Sequence, residues 1–333
     1  MQAQRFSRYA AAFYAAAALL AGCGGSQPPI GAPGGVSQSQ AITTQTLGHG
    51  SLIAPEGKGQ DLLYVSRSGT AKVYFYAYPG GRLVGSIPGG GSQLCSDQNG
   101  NVFVAATDVG VVEWAHGGTK VIAVFSDPNI YAQACAVDPV SGNLGVVGYT
   151  VASHEGVVAI YQSTQSTPTV YTDEDSGGLF HCTYDDEGNL FATRLGRVSD
   201  GTLVELPRGS GSLTYVSIGH AFAGLGHAVQ WDGHYIAVGD RSVKPKGPGQ
   251  VYQVRVSGSI GAVVNTVGLS ERSKRPPALY EQFWIQSKAI IAPNVDNTMV
   301  GFWRYPKGGE PKHSLKLSKS EGAISGLTVS VGK

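Results

Sequence analysis

The residue types best suited to chemistry are few and scattered. Cys95, Cys135 and Cys182 stand 40 and 47 residues apart, each within an apolar stretch. Three readings follow: small buried hydrophobes, a disulfide between two of the three in an oxidising compartment, or a thiolate metal site. The paired cysteine spacing of zinc sites is absent, which weighs against the last. His220, His227 and His234 fall seven apart, but nothing helical surrounds them, so the interval gives no shared face. With His181 they read as surface or core side chains. Carboxylates cluster at Asp173-Glu174-Asp175 and at Asp185-Asp186-Glu187. The first group would suit a cation; the second reads as a turn, where Asp commonly closes the chain on itself. No EF-hand loop, nucleophile elbow, metalloprotease helix or phosphate-binding loop is present. Basic residues gather only in Arg241–Gly249 and Glu271–Pro277, both Pro-containing, which read as solvated loops or as a contact for a partner or an anionic polymer.

The N-terminus carries an address. Arg5 and Arg8 precede an apolar, alanine-rich run from Tyr9 to Leu20. Such a run is shorter than the roughly 20 residues a spanning helix needs and suits a signal sequence. It ends in Leu20-Ala21-Gly22-Cys23, which resembles the lipobox of bacterial lipoproteins. That resemblance implies cleavage after residue 22, lipidation of Cys23 and stable anchoring by more than one acyl chain. The anchored protein is expected to face the periplasm or the cell exterior. In that family Gly24 rather than Asp after the cysteine implies outer-membrane or surface placement over inner-membrane retention where a cell has two membranes. Residues 24–48 hold no charged side chain and are rich in Gly, Ser, Gln, Pro and Thr, so 23–48 is expected to be a flexible tether.

Composition points to β structure beyond it. The 333 residues include 48 glycines and 17 prolines, and only 14% are charged. That excludes a helical bundle, and 42% hydrophobic residues exclude a disordered chain. A formal net charge of +1 gives no electrostatic reason to expect nucleic acid. One phrase recurs: Cys95-Ser-Asp-Gln-Asn-Gly-Asn-Val, Cys135-Ala-Val-Asp-Pro-Val-Ser-Gly-Asn-Leu and Cys182-Thr-Tyr-Asp-Asp-Glu-Gly-Asn-Leu, continued by Val229-Gln-Trp-Asp-Gly-His. Its glycines, 100, 142, 188 and 233, are 42, 46 and 45 residues apart. A second phrase, Val73-Tyr-Phe-Tyr-Ala-Tyr-Pro, returns as Val300-Gly-Phe-Trp-Arg-Tyr-Pro. Four short strands per repeat, with turns rich in Gly, Asn and Asp, are the mark of a radial array. The expected fold is all-β, a six-bladed β-propeller of four-stranded antiparallel blades over residues 49–333. Ala323–Val331 reads as a lone strand that closes the ring. Seven blades are the alternative, if 241–290 holds an extra hairpin pair.

Leu62-Leu-Tyr-Val-Ser-Arg-Ser-Gly-Thr-Ala-Lys-Val-Tyr-Phe-Tyr76 with Arg82-Leu-Val-Gly-Ser-Ile-Pro-Gly89 resembles the repeat of YVTN and NHL-type propellers. The Asp or Asn that usually ends the second strand appears as Asp240 and Asn294, but Ser66 and Arg194 stand there in units one and four. Second-strand exits supply the site candidates: Asp108, Asp240, Arg241, Asn294 and Asp296. Lactonase-like relatives of this fold hold a divalent cation such as Ca²⁺ on acidic and amide groups in these loops. Here Asp240, Asn294 and Asp296 resemble such ligands. The preferred function is a non-catalytic binding scaffold at the envelope for a protein, glycan or small molecule, acting as a monomer. The rival is a metal-dependent hydrolase or lyase of the gluconolactonase type, and an envelope-assembly subunit is a third reading.

Overall fold

The structure is a computed structural model. It describes residues 59–90, 93–106, 109–118, 120–162, 167–194, 202–220, 222, 227–240, 248–270, 277–279, 281–294, 296 and 298–333. The signal sequence, Cys23, the tether, Asp108 and Arg241 lie outside the described residues, as does most of each basic run.

Twenty-four strands form six four-stranded units among the described residues. Blade one contains β1 (Leu62–Arg67), β2 (Lys72–Ala77) and β3 (Leu83–Pro88). Blade two runs β4 (Gln93–Ser96), β5 (Val102–Ala106), β6 (Gly110–Trp114) and β7 (Val121–Phe125). Blade three is β8 (Ile130–Val137), β9 (Leu144–Thr150), β10 (Gly156–Tyr161) and β11 (Thr169–Asp173). Blade four is β12 (Leu179–Tyr184), β13 (Leu190–Arg194), β14 (Thr202–Leu206) and β15 (Thr214–Ser217). Blade five is β16 (Val229–Trp231), β17 (Ile236–Asp240), β18 (Gly249–Ser257) and β19 (Ile260–Leu269). Blade six is β20 (Trp284–Gln286), β21 (Ala289–Pro293), β22 (Met299–Arg304) and β23 (His313–Lys316). The last strand, β24 (Ile324–Ser330), pairs antiparallel with β1 and becomes the innermost strand of blade one.

Innermost strands touch in the order β24, β4, β8, β12, β16, β20 and back to β24, which closes the ring at six. The long stretch expected to allow a seventh blade instead supplies β18 and β19, the two outer strands of blade five. The echoed Val-x-Phe/Trp phrases occupy third strands, β2 and β22, in blades one and six.

Six buried apolar clusters fill the six gaps between neighbouring blades. The alternation of β1 shows how. Leu62 and Tyr64 face blade two with Leu94 and Val104, while Leu63 and Val65 face blade six with Ile291 and Phe302. A strand buried on both faces needs an unbroken apolar run, which explains Leu-Leu-Tyr-Val. Glycine makes room for the large rings: a Cβ at Gly85 would stand 2.6 Å from Phe75.

The recurrent phrase is a turn device. Asp97 Oδ1 accepts from the backbone N–H of Asn99 and Asn101, at 2.9 and 2.7 Å. Asp185 does the same for Glu187 and Asn189, and Asp232 for His234 and Tyr235. Asp138 accepts from Val140 N and from the Ser141 hydroxyl. These are side chains substituting for backbone acceptors in the first hairpins of blades two to five. Gly100 has φ +86°, and a Cβ there would also meet Val331 O at 2.3 Å.

That contact belongs to the closure. Ser330 Oγ donates to Gly100 O, leaving its oxygen to accept from His116 Nδ1 at 2.6 Å. Ser96 Oγ donates to Val329 O at 2.9 Å, and Gly332 N to Asp61 Oδ1 at 3.0 Å. Hydrogen bonds thus tie the closing strand to two blades.

Candidate functional site

The innermost strands leave backbone groups facing the axis, where no further strand can pair with them. Polar side chains from neighbouring blades take that place. Gln230 of β16 accepts from Ile285 N and donates to Ile285 O in β20. Thr183 Oγ1 of β12 accepts from Trp231 N at 2.9 Å. Two glutamines reach farther. Gln93 Nε2 donates to Phe180 O at 3.1 Å, from blade two to the start of blade four. Gln282, just before β20, accepts from Leu94 N at 3.0 Å and Leu327 N at 3.1 Å, and donates to Leu94 O. It joins blade six to blades one and two. Both glutamines cross the axis near the start of the first strands.

Below this crossing lies a cavity of about 830 Å³, open at the first-hairpin end and running outward between blades two and three. That volume falls within the range of small-molecule sites. Gln282 lies in its wall, and the indoles of Trp231 and Trp284 line it. Trp284 Nε1 is held by Gln286 Oε1 at 3.1 Å, whereas the buried Trp231 Nε1 has no acceptor among the described residues. Asp97, Glu113, Asp138 and Asp186 also line it, and among the described residues no Lys, Arg or His does. Asn101 Nδ2 stands between two of these carboxylates, donating to Asp97 Oδ2 at 3.1 Å and Glu113 Oε1 at 2.9 Å. Burial, reinforced by the Asp97 charge, raises the Glu113 carboxyl above its ordinary pKa; the Asn101 hydrogen bond opposes this.

The three cysteines all lie on innermost strands and line this cavity. Cys95 and Cys135 form a disulfide between β4 and β8, with Cα atoms 5.8 Å apart. Cys182 is free and buried, and burial pushes its thiol well above the usual range, so it is a poor nucleophile at neutral pH.

The second-strand exits lie at the opposite end of the blades, and they share a different task. Each described example ties its blade to the connection leading into it. Arg194 ends β13 and clasps the fully buried Asp173 through Nε and Nη2 at 2.7 and 3.0 Å. Tyr215 OH donates to the same carboxylate, and the guanidinium lies 4.8 Å from the Tyr215 ring centre. Asp173, the first acid of the cluster that suggested a cation site, is thereby occupied by an arginine. Arg67, fully buried at the end of β1, donates to Ser318 O and lies 3.7 Å from Glu321. Asp240, 1% exposed, has His227 Nδ1 at 3.6 Å. Asn294 forms a bridge with Pro277, and its Oδ1 accepts from Thr298 N and Met299 N at 3.0 and 3.1 Å. Asp296 is half-buried in the same loop. Asp240 and Asn294 each have a partner in or beside the connection that enters their own blade. Among the described residues no group of three His, Cys, Asp or Glu side chains is placed to hold a metal.

The cavity residues Gln282, Trp231, Trp284 and Glu113 were not legible as a site. Their one sequence signal is a glutamine within or next to an apolar inner strand, as in Gln93-Leu-Cys, Gln230-Trp and Gln282-Phe-Trp.

No protein-family profile matches the sequence, and no curated protein matches it. Solved structures do share the fold. A chain of the crystal structure of a nidogen/laminin complex superposes with a TM-score of 0.61 at 10% identity, over 82% of this chain and 99% of that one. A protein of unknown function from Bacteroides caccae gives 0.57 at 13% identity, over 81% and 99%. At such identities the likeness concerns the fold alone, and the chain is a β-propeller.

Proposed function

We propose that this chain is a binding scaffold of the YVTN/NHL-repeat kind, exported and held at the cell envelope by lipid on Cys23, with its ligand seated in the axial cavity. One observation carries the binding role. The cavity is lined by Gln282, by two tryptophans and by residues of the inner strands, while the described second-strand exits tie their blades to the incoming connections. An aromatic wall with a few placed polar groups is the usual make-up of a ligand pocket. The Leu-Ala-Gly-Cys motif and the uncharged stretch after it support the anchoring.

The test uses the full-length chain in detergent. Thermal unfolding and tryptophan fluorescence are followed with neutral oligosaccharides, short peptides, polyamines, organic anions and Ca²⁺. A ligand at 100 times its Kd adds about 2.7 kcal/mol to the native state. The expected result is a stabilising ligand whose fluorescence signal is lost in Trp231→Phe and Trp284→Phe. A shift produced by Ca²⁺ alone and abolished by Asp240→Ala would replace the scaffold with a metal-dependent hydrolase. For the anchor, Cys23→Ser should release the protein from the membrane fraction; continued attachment would refute lipidation.

A further inference from the structure

The lining of the axial cavity specifies the charge of what enters it, and this inference rests on the binding role just proposed. Asp97, Glu113, Asp138 and Asp186 line the cavity, while no basic side chain among the described residues does. Carboxylates in a concave, low-dielectric wall focus negative potential. Glu113 and Asp97 are separated only by the neutral amide of Asn101. Beside them the wall is apolar: Phe103 and Phe125 pack together at 6.4 Å between ring centres, and Ile122 lines the same stretch although 45% exposed. Trp231 and Trp284 complete the aromatic surface. An ammonium already rests at the rim, where Lys333 Nζ donates to Asn99 Oδ1 at 3.0 Å.

We infer that the cavity binds an organic cation, an ammonium or guanidinium head on an alkyl stem. The head is placed among the carboxylates, and the stem lies along the aromatic wall, where cation–π attraction adds to burial of the methylenes. Two sources present this chemistry: a free polyamine, and a Lys or Arg side chain of a basic peptide.

Full-length protein is titrated calorimetrically with spermidine and with a blocked tri-lysine peptide. Maltotriose and citrate serve as neutral and anionic probes, and tryptophan fluorescence reports on the cavity. The expected result is binding of at least one cation, weakening as salt rises. Glu113→Gln and Asp186→Asn should each weaken it by about two- to fivefold, the worth of a partly exposed ion pair. Asp175→Asn, at the opposite end of the blades, should leave it unchanged. Spermidine alone binding identifies a free polyamine; the peptide alone identifies a basic protein segment. If maltotriose or citrate changes the fluorescence and neither cation does, the cation inference falls while the cavity remains a binding site. If no probe does, and the wider panel above is also silent, both fall. Cation binding insensitive to both carboxylate substitutions also overturns the inference.

Discussion

Replacing Gln282 by methionine keeps the length of the side chain and removes every hydrogen bond it makes. Three backbone groups then lose their partner at once: Leu94 N, Leu94 O and Leu327 N. None can turn to a neighbouring strand on that side, because β4 and β24 are the innermost strands of their blades. At about 0.5–1.5 kcal/mol of net stability per bond, the loss is about 1.5–4.5 kcal/mol. For a domain of this length each kcal/mol moves Tm by about 2 °C, so calorimetry should show a fall of about 3–9 °C. Hydrogen exchange supplies the residue-level readout: the amides of Leu94 and Leu327 should exchange faster, while those of the outer strands keep their relative protection. Gln98→Met is the control, since that exposed side chain makes one long bond, 3.5 Å to Pro139 O, and should shift Tm by about 1 °C or less. If Gln282→Met melts within about 1 °C of the parent and both amides keep their protection, the glutamine does not hold the axis together and the argument fails.

Two further expectations concern stability. Reducing the Cys95–Cys135 bond, or replacing both residues by serine, reopens a loop of sequence separation 40, which chain entropy values at about 4 kcal/mol. Tm should fall by about 8 °C, and an unchanged Tm under strong reductant would show that the bond constrains nothing. Burial raises the Glu281 carboxyl above its ordinary pKa, so the native state holds this proton more tightly than the unfolded chain does. Its ionisation therefore costs stability as pH rises through the raised native value, and the cost disappears as pH falls below the ordinary glutamate range. Glu281→Gln should raise Tm at neutral pH, and the two melting curves should converge in acid; a constant gap across pH would refute the assignment.

Much of the architecture is legible without coordinates, because it is local. The Gly-Asn turns, the Asp that closes them and the apolar runs of β1 and β5 depend on neighbours within one hairpin. They recur because each blade solves the same problem of burying two faces. The C-terminal strand announces itself in the same way, as a first strand without followers. The residues around Asp240 and Asn294 also stood out, yet their role as ties between a blade and the preceding connection did not. Their partners, such as His227 for Asp240 or Glu321 for Arg67, come from connections whose sequences share no pattern.

The cavity was decided by tertiary structure alone. Nothing near Gln282 in sequence suggests that it bonds to Leu94, 188 residues away, or that Asn101 separates two carboxylates beside the first hairpins. A repeat records what each blade asks of itself. The axis is made where six blades meet, and its chemistry depends on ring closure, which brings Thr328 to within 3.0 Å of Ser96. Sequence periodicity thus determined the strands and the turns, since these follow from local pairing and alternate burial, while the choice between six and seven blades fell to the tertiary structure. Closure determined which polar groups face one another across the centre, because that depends on the summed twist of all six sheets.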